Sequence, residues 1–176
     1  MIVKFWGVRG SIPSGNKETM AVGGNTTCLE VRCGNELIIF DTGTGIRNLG
    51  KELMKKIPVK GKIFYTHVHW DHIQGLPFFT PLYVKANEFD IYGGTSLPVT
   101  IKEVLNQQMS PPCFHVRMGI MAAKIQYRDL QPGDVVKGEN YQVHLIEVYH
   151  PNRTYAYRVE SGNHSIVFAT DVEPDN

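Results

Sequence analysis

The sequence predicts a mixed α/β domain with helices outside its sheets. Three observations lead there. Short β-rich runs dominate the chain, segments of helical period fall between groups of them, and 176 residues with 42% apolar content allow one sizeable core. Helices interleaved with groups of strands argue for sheets covered by helices.

Taken in order, residues 3–6, 27–33 and 37–40 read as strands, with Gly34-Asn35 as a hairpin turn. Residues 46–57 read as a helix, because Ile46, Leu49, Leu53, Met54 and Ile57 recur at helical spacing. Residues 63–66 form a short apolar strand, and 72–79 one or two helical turns that end before Pro81. Residues 89–92 are a strand and 99–109 a helix. Strands at 124–127, 142–149, 155–159 and 166–169 complete the pattern. Ser110-Pro111-Pro112 is a loop and not a domain linker, since strand-like sequence resumes soon after. One domain over residues 1–176 is therefore expected.

The charge balance excludes little. A net charge of +1 predicts neither a nucleic-acid nor a membrane partner by itself, and charged residues at 20% give no sign of disorder. Three cysteines at irregular spacing make a poor disulfide framework. Cys28 and Cys33 stand an odd number of residues apart in one extended run, so their side chains face opposite ways. Reduced thiols and a cytoplasmic location are expected. The N-terminus turns to Gly-Val-Arg-Gly too soon for a signal peptide, and no apolar run reaches the roughly 20 residues of a membrane span.

Four apolar strands run into residues able to bind metal. Leu37 to Phe40 ends in Asp41, Ile63 to Thr66 in His67, Leu145 to Tyr149 in His150, and Ile166 to Thr170 in Asp171. Strand ends join rigid backbone to adaptable loops, so four such residues suggest one shared edge. The strongest local signal is His67-Val68-His69-Trp70-Asp71-His72. Histidines at i and i+2 leave an extended chain on one side and can grip one ion. Asp71 and His72 follow where the chain should turn, toward a neighbouring ion. Imidazole and carboxylate together suit Zn²⁺, with Mn²⁺ or Fe²⁺ as alternatives.

His67 to His72 resembles the His-x-His-x-Asp-His signature of the metallo-β-lactamase superfamily. Phe40-Asp41-Thr42-Gly43 resembles the family's earlier aspartate motif, His150 its isolated third histidine, and Asp171 its bridging aspartate. The segments 5–13, 23–27 and 41–47 resemble the branch near tRNase Z and the cyclic-phosphate phosphodiesterases. The resemblance implies an αββα sandwich with two divalent metals at one edge. One ion would take His67, His69 and His150, the second Asp71 and His72, with Asp171 between them. Family members usually supply one more histidine after the bridging aspartate, and no histidine follows Asp171 in this sequence. The expectation is a C-terminally incomplete fold, a fragment of a longer protein with a weak second site, its exposed apolar surface favouring homo-oligomers.

Other residues carry weaker signals. Asp41 follows a buried strand and can orient a metal-bound histidine. Asn25 lies in a glycine-rich turn where backbone can approach a ligand. Arg9 and Arg153 are candidate phosphate contacts, since arginine suits bidentate phosphate binding. His115, His144 and His164 read as structural or surface histidines. Lys51, Lys55, Lys56, Lys60 and Lys62 read first as a solvated helix face and its exit, and second as an RNA-binding face. Water activated by metal needs no protein nucleophile, and Asp71 or Asp171 can relay a proton as well as bind metal. The chemistry expected is phosphodiester hydrolysis, on a nucleotide, a cyclic nucleotide or an RNA end. An acyl hydrolase acting on thioesters or lactones is the first alternative, and an inactive metal-binding domain the second. A di-iron oxidoreductase ranks last, since no flavin-binding segment is visible.

Overall fold

The computed structural model describes residues 1–94 and 98–174. Six strands form the first sheet, in chain order: β1 (Ile2–Gly7), β2 (Cys28–Cys33), β3 (Glu36–Phe40), β4 (Lys60–Phe64), β5 (Glu88–Gly93) and β6 (Lys124–Asp129). β1, β2 and β3 pair antiparallel, and β2 passes to β3 through a tight turn at Gly34, whose φ of 61° suits glycine. β3 to β6 run parallel, so their connections must cross over, and helices α1 (Ile46–Leu53), α2 (Trp70–Ile73) and α3 (Ile101–Gln108) lie in those crossovers. The second sheet is antiparallel, ordered β10 (His164–Phe168), β9 (Thr154–Ser161), β8 (Gln142–Val148) and β7 (Val135–Lys137).

Two cores follow from strand alternation. Leu37 and Ile39 of β3 enter the core beneath the helices, whereas Ile38 and Phe40 enter the core between the sheets. A strand buried on both faces reads as a continuous apolar run. Cys28 and Cys33 divide in the same way, one in each core, and both are free thiols. The order is helix, sheet, sheet. Among the described residues no helix covers the outer face of the second sheet, where Ile146 and Val167 are exposed. The described chain thus contains three layers of the expected αββα arrangement.

Local boundaries differ from the sequence pattern for identifiable reasons. α1 buries Ile46, Leu49 and Leu53 but stops at Leu53, not at Ile57. Ile57 precedes Pro58, and a residue before proline is disfavoured in helical conformation. The helical turns end before Pro81, as expected, but Pro81 itself lies within a further 3-10 turn, Thr80–Tyr83, near whose start proline's missing N–H is harmless. The helical turns expected over 72–79 are α2, beginning earlier at Trp70, and a separate 3-10 turn at Leu76–Phe78. β7, only three residues long, is too short to show a period. α3 starts where its capping box dictates, with Thr100 and Glu103 satisfying each other's backbone N–H groups.

This topology brings the strand ends together. The C-terminal ends of β3 and β4 share an edge because the strands are parallel. The Tyr155 N–H donates to the Thr66 carbonyl at 2.8 Å, and the Tyr157 hydroxyl to the Tyr65 carbonyl at 2.6 Å. These bonds join the start of β9 to the exit of β4, so the ends of β8 and β10 reach the same edge.

Candidate metal centre

Beyond β4 the chain bends at Thr66, is extended at His69 and then turns into α2, which places Asp71 and His72 on the helix. The loop after β3 holds α2 in place. The Thr42 N–H donates to the His72 carbonyl at 2.7 Å, and the Gly75 N–H to the Thr42 carbonyl at 2.8 Å. Gly43 permits this approach, because a Cβ there would stand 2.5 Å from the Asp71 carbonyl oxygen.

Two ligand clusters result. In the first, His69 Nδ1 lies 2.9 Å from His67 Nε2 and 3.2 Å from His150 Nε2. In the second, His67, His72 and Asp171 each offer a ligand atom, all within 4.8 Å of one another. His72 Nε2 is 3.1 Å from Asp171 Oδ2 and 3.6 Å from Asp71 Oδ2. His67 therefore belongs to both clusters, a sharing that sequence spacing did not reveal.

Neighbouring groups orient these side chains. The buried Asp41 carboxylate meets His72 Nδ1 at 2.8 Å and accepts the Thr66 N–H at 2.8 Å. The Thr66 hydroxyl lies 3.1 Å from His67 Nδ1. Glu173 Oε1 holds His150 Nδ1 at 3.0 Å, Asn152 Nδ2 stands 3.2 Å from His69 Nε2, and the Ser11 N–H donates to Asp71 Oδ2 at 2.7 Å. Five non-glycine residues among those described have positive φ: Ser11, Asp41, Asn152, Arg153 and Asp171. Four of them contact the cluster and the fifth adjoins it, so the strained backbone is concentrated in the loops that aim the ligands.

The electrostatics suit a cation. Burial, then the charges of neighbouring histidines, lower His67 to about 2, leaving it a neutral imidazole with a lone pair to offer. Burial and His150 lower His69 as well. Burial alone would lower His72, but the hydrogen bond and charge of Asp41, then Asp71 and Asp171, carry it above its ordinary value. With its Nδ1 proton donated to Asp41, His72 turns Nε2 toward two carboxylates, and these acceptors need a proton or a metal between them. Nitrogens bound tetrahedrally at about 2.0–2.1 Å lie about 3.3–3.4 Å apart, close to the separations found in the first cluster. The residues present fit a divalent metal.

The remaining sequence candidates are placed as follows. Asn25 organises its loop: its carbonyl accepts from Val8 and Arg9, and its Oδ1 from the Thr44 hydroxyl. Arg9 Nε donates to the Ile12 carbonyl at 2.7 Å, and the residue lines a hollow of about 390 Å³ that also reaches His72 and Asp171. Arg153 leans on Glu147 at 3.6 Å, and the adjacent Asn152 contacts His69 instead. His144 pairs with Glu160 on the outer face of β8, and His164 starts β10 at the far end from Asp171. Lys55, Lys60 and Lys62 pair with Glu52, Glu88 and Glu36, as a solvated face would. Thr66, Asn152, Glu173 and Ser11 were missed. Only Glu173, two residues beyond Asp171, had a positional hint.

Ligand residues gathered at the common edge of two stacked sheets define a class of sandwich protein built to hold divalent metal there. A profile of the Beta-lactamase superfamily domain matches residues 37–175, and the chain belongs to that family. It is 28% identical over 155 residues to ribonuclease Z of Methanosarcina mazei, a match covering 87% of this chain and 46% of that protein. The chain spans about half the length of the curated relatives it matches. Its fold is similar to that of the metallo-β-lactamase fold protein YhfI from Bacillus subtilis, with a TM-score of 0.66 at 20% identity over 94% of this chain and 59% of the other. It is also similar to the short form of human tRNase Z, with a TM-score of 0.63 at 21% identity over 96% and 68%.

Proposed function

We propose that the chain carries a metal-dependent hydrolase of phosphodiesters, acting on a nucleotide, a cyclic nucleotide or an RNA end. One observation carries the reading: three imidazoles converge beside a histidine–aspartate pair at one sheet edge. His67, His69 and His150 would hold one ion, and His72, Asp171 and Asp71 a second, with Zn²⁺ the first choice and Mn²⁺ or Fe²⁺ the alternatives. Such ions acidify water to a pKa of about 7 and polarise the oxygen under attack. Burial keeps His67 neutral, and Asp41 and Glu173 hold the rings of His72 and His150. Asp71, steadied by the Ser11 N–H, and Asp171 accept or pass the proton. The ribonuclease Z name of the curated relatives supports phosphodiesters over acyl compounds. Free thiols, with Cys28 and Cys33 in separate cores, support a cytoplasmic location. Among the described residues no helix is long and apolar enough to cross a membrane.

The test loads the purified chain with Zn²⁺ or Mn²⁺ and compares bis-p-nitrophenyl phosphate with thioester, lactone and β-lactam substrates. Phosphodiester turnover above the others is expected. Faster cleavage of an acyl compound would move the reading to acyl hydrolysis, and no turnover of any would leave a metal-binding domain alone.

A further inference from the structure

Beside His150 lies a hollow of about 330 Å³, lined by Tyr149, His150, Pro151, Glu173 and Pro174. None of its walls except His150 belongs to the metal clusters. Tyr149 shares strand parity with Val143 and Leu145, which are buried between the sheets, yet it is 68% exposed. It stands just beyond the end of β8, where the sheets no longer cover that face. The walls are fixed to one another. The Glu173 N–H donates to the Tyr149 carbonyl at 2.8 Å, and the Glu173 carboxylate holds His150 Nδ1 at 3.0 Å. The opposite nitrogen of the same imidazole, Nε2, points into the first cluster, 3.2 Å from His69 Nδ1. One ring's width therefore separates the hollow from the metal site.

The chemistry of the hollow is that of a stacking seat. One flat aromatic ring and two rigid proline rings offer apolar surface that loses little conformational freedom on contact. The volume is at the lower end of small-molecule sites, which span about 300–1,000 Å³, and so suits one flat ring system. We propose that Tyr149, with Pro151 and Pro174, seats the base of a nucleotide whose phosphate lies at the metal cluster, making Tyr149 a specificity-determining residue. This rests on the phosphodiesterase reading for the phosphate's position. Stacking on a tyrosine face is tolerant of base identity, because every base has a π-face. The seat therefore discriminates nucleotides from phosphate esters without a ring, more than one base from another.

Trp70, adjacent to His69, is 73% exposed but is not a wall of this hollow, so it serves as the control. The metal-loaded chain is titrated calorimetrically with adenosine 5′-monophosphate and with ribose 5-phosphate, which differ only in the base. Wild type, Tyr149→Phe and Trp70→Ala should bind the nucleotide about 5- to 150-fold more tightly, the range expected of a single stacked base. Tyr149→Ala should bring the two affinities together. Tyr149 is exposed, so truncation leaves the core intact, and the Phe variant separates ring stacking from the hydroxyl. Equal affinities in the wild type would overturn the proposal. So would a preference retained in Tyr149→Ala, or one lost only in Trp70→Ala. The hydrolase reading stands or falls separately on the turnover panel: a Tyr149-dependent preference without phosphodiester cleavage would keep the seat and remove the reaction.

Discussion

Asp41→Asn tests whether the buried carboxylate sets the state of His72. Asp41 has no solvent exposure and sits at φ 58°, a conformation that asparagine also tolerates. In the wild type, Oδ1 accepts the Thr66 N–H at 2.8 Å and Oδ2 meets His72 Nδ1 at 2.8 Å. The amide oxygen can keep the first bond. The amide nitrogen then faces His72 Nδ1, donor against donor. Either the bond is lost, or the imidazole adopts the other tautomer and presents a proton where it should present a lone pair. Losing a hydrogen bond to a charged group costs about 1.5–3 kcal/mol of stability. Losing the partner that orients a metal-binding histidine lowers metal affinity by about 10- to 100-fold. Competition of the purified variant against a chromophoric Zn²⁺ chelator reads the second quantity, and urea unfolding reads the first. Wild-type affinity at both sites would refute the idea that Asp41 determines which nitrogen of His72 is free.

Four further outcomes are expected. His69→Ala combined with His150→Ala should abolish tight binding at the first cluster, and equilibrium dialysis with unchanged stoichiometry and affinity would reject that ligand set. Because His67 is shared between the clusters, calorimetric titration with Zn²⁺ should show two affinities, the three-histidine cluster being tighter; two equally tight sites would count against this. Gly43→Ala should lower stability by about 1–3 kcal/mol, since the new Cβ would meet the Asp71 and Thr27 carbonyl oxygens at 2.5 Å and 2.6 Å as well as Thr26 Oγ1 at 2.5 Å, and the two backbone atoms cannot yield; an unshifted urea midpoint would contradict the close packing of that loop on α2. Zn²⁺ at a hundred times its Kd should stabilise the fold by about 2.7 kcal/mol, so melting curves with and without chelator should separate, and coincident curves would argue against a built metal site.

Much of the fold was legible because it is written in short-range periods. The run at 37–40 is apolar throughout and the run at 63–66 on all but its last residue, as strands buried on both faces must be, and their structures match to within a few residues. α1 was visible from its apolar spacing, but its end was not, because the pattern continues to Ile57, which Pro58 disfavours in helical conformation, while the helix ends at Leu53. The third layer was expected in outline, yet β7 had too few residues to declare a period. The same division runs through the candidate site. His67, His69, Asp71 and His72 lie within six residues, so local chain geometry alone brings them together. Asp41, His150 and Asp171 were found because each follows an apolar strand, a cue that survives without knowing where the strands lie. Thr66, Asn152, Glu173 and Ser11 carry no such cue. Their contacts with Asp41 and the ligand residues join positions up to 83 apart, and Asn152 and Ser11 make theirs from left-handed backbone conformations. Sequence by itself determined which residues could bind metal, because ligand chemistry belongs to the side chain. Tertiary structure alone decided that His67 serves both clusters and that Asn152 reaches His69 while Arg153 turns away, because only stacking the two sheets sets the distances between their edges.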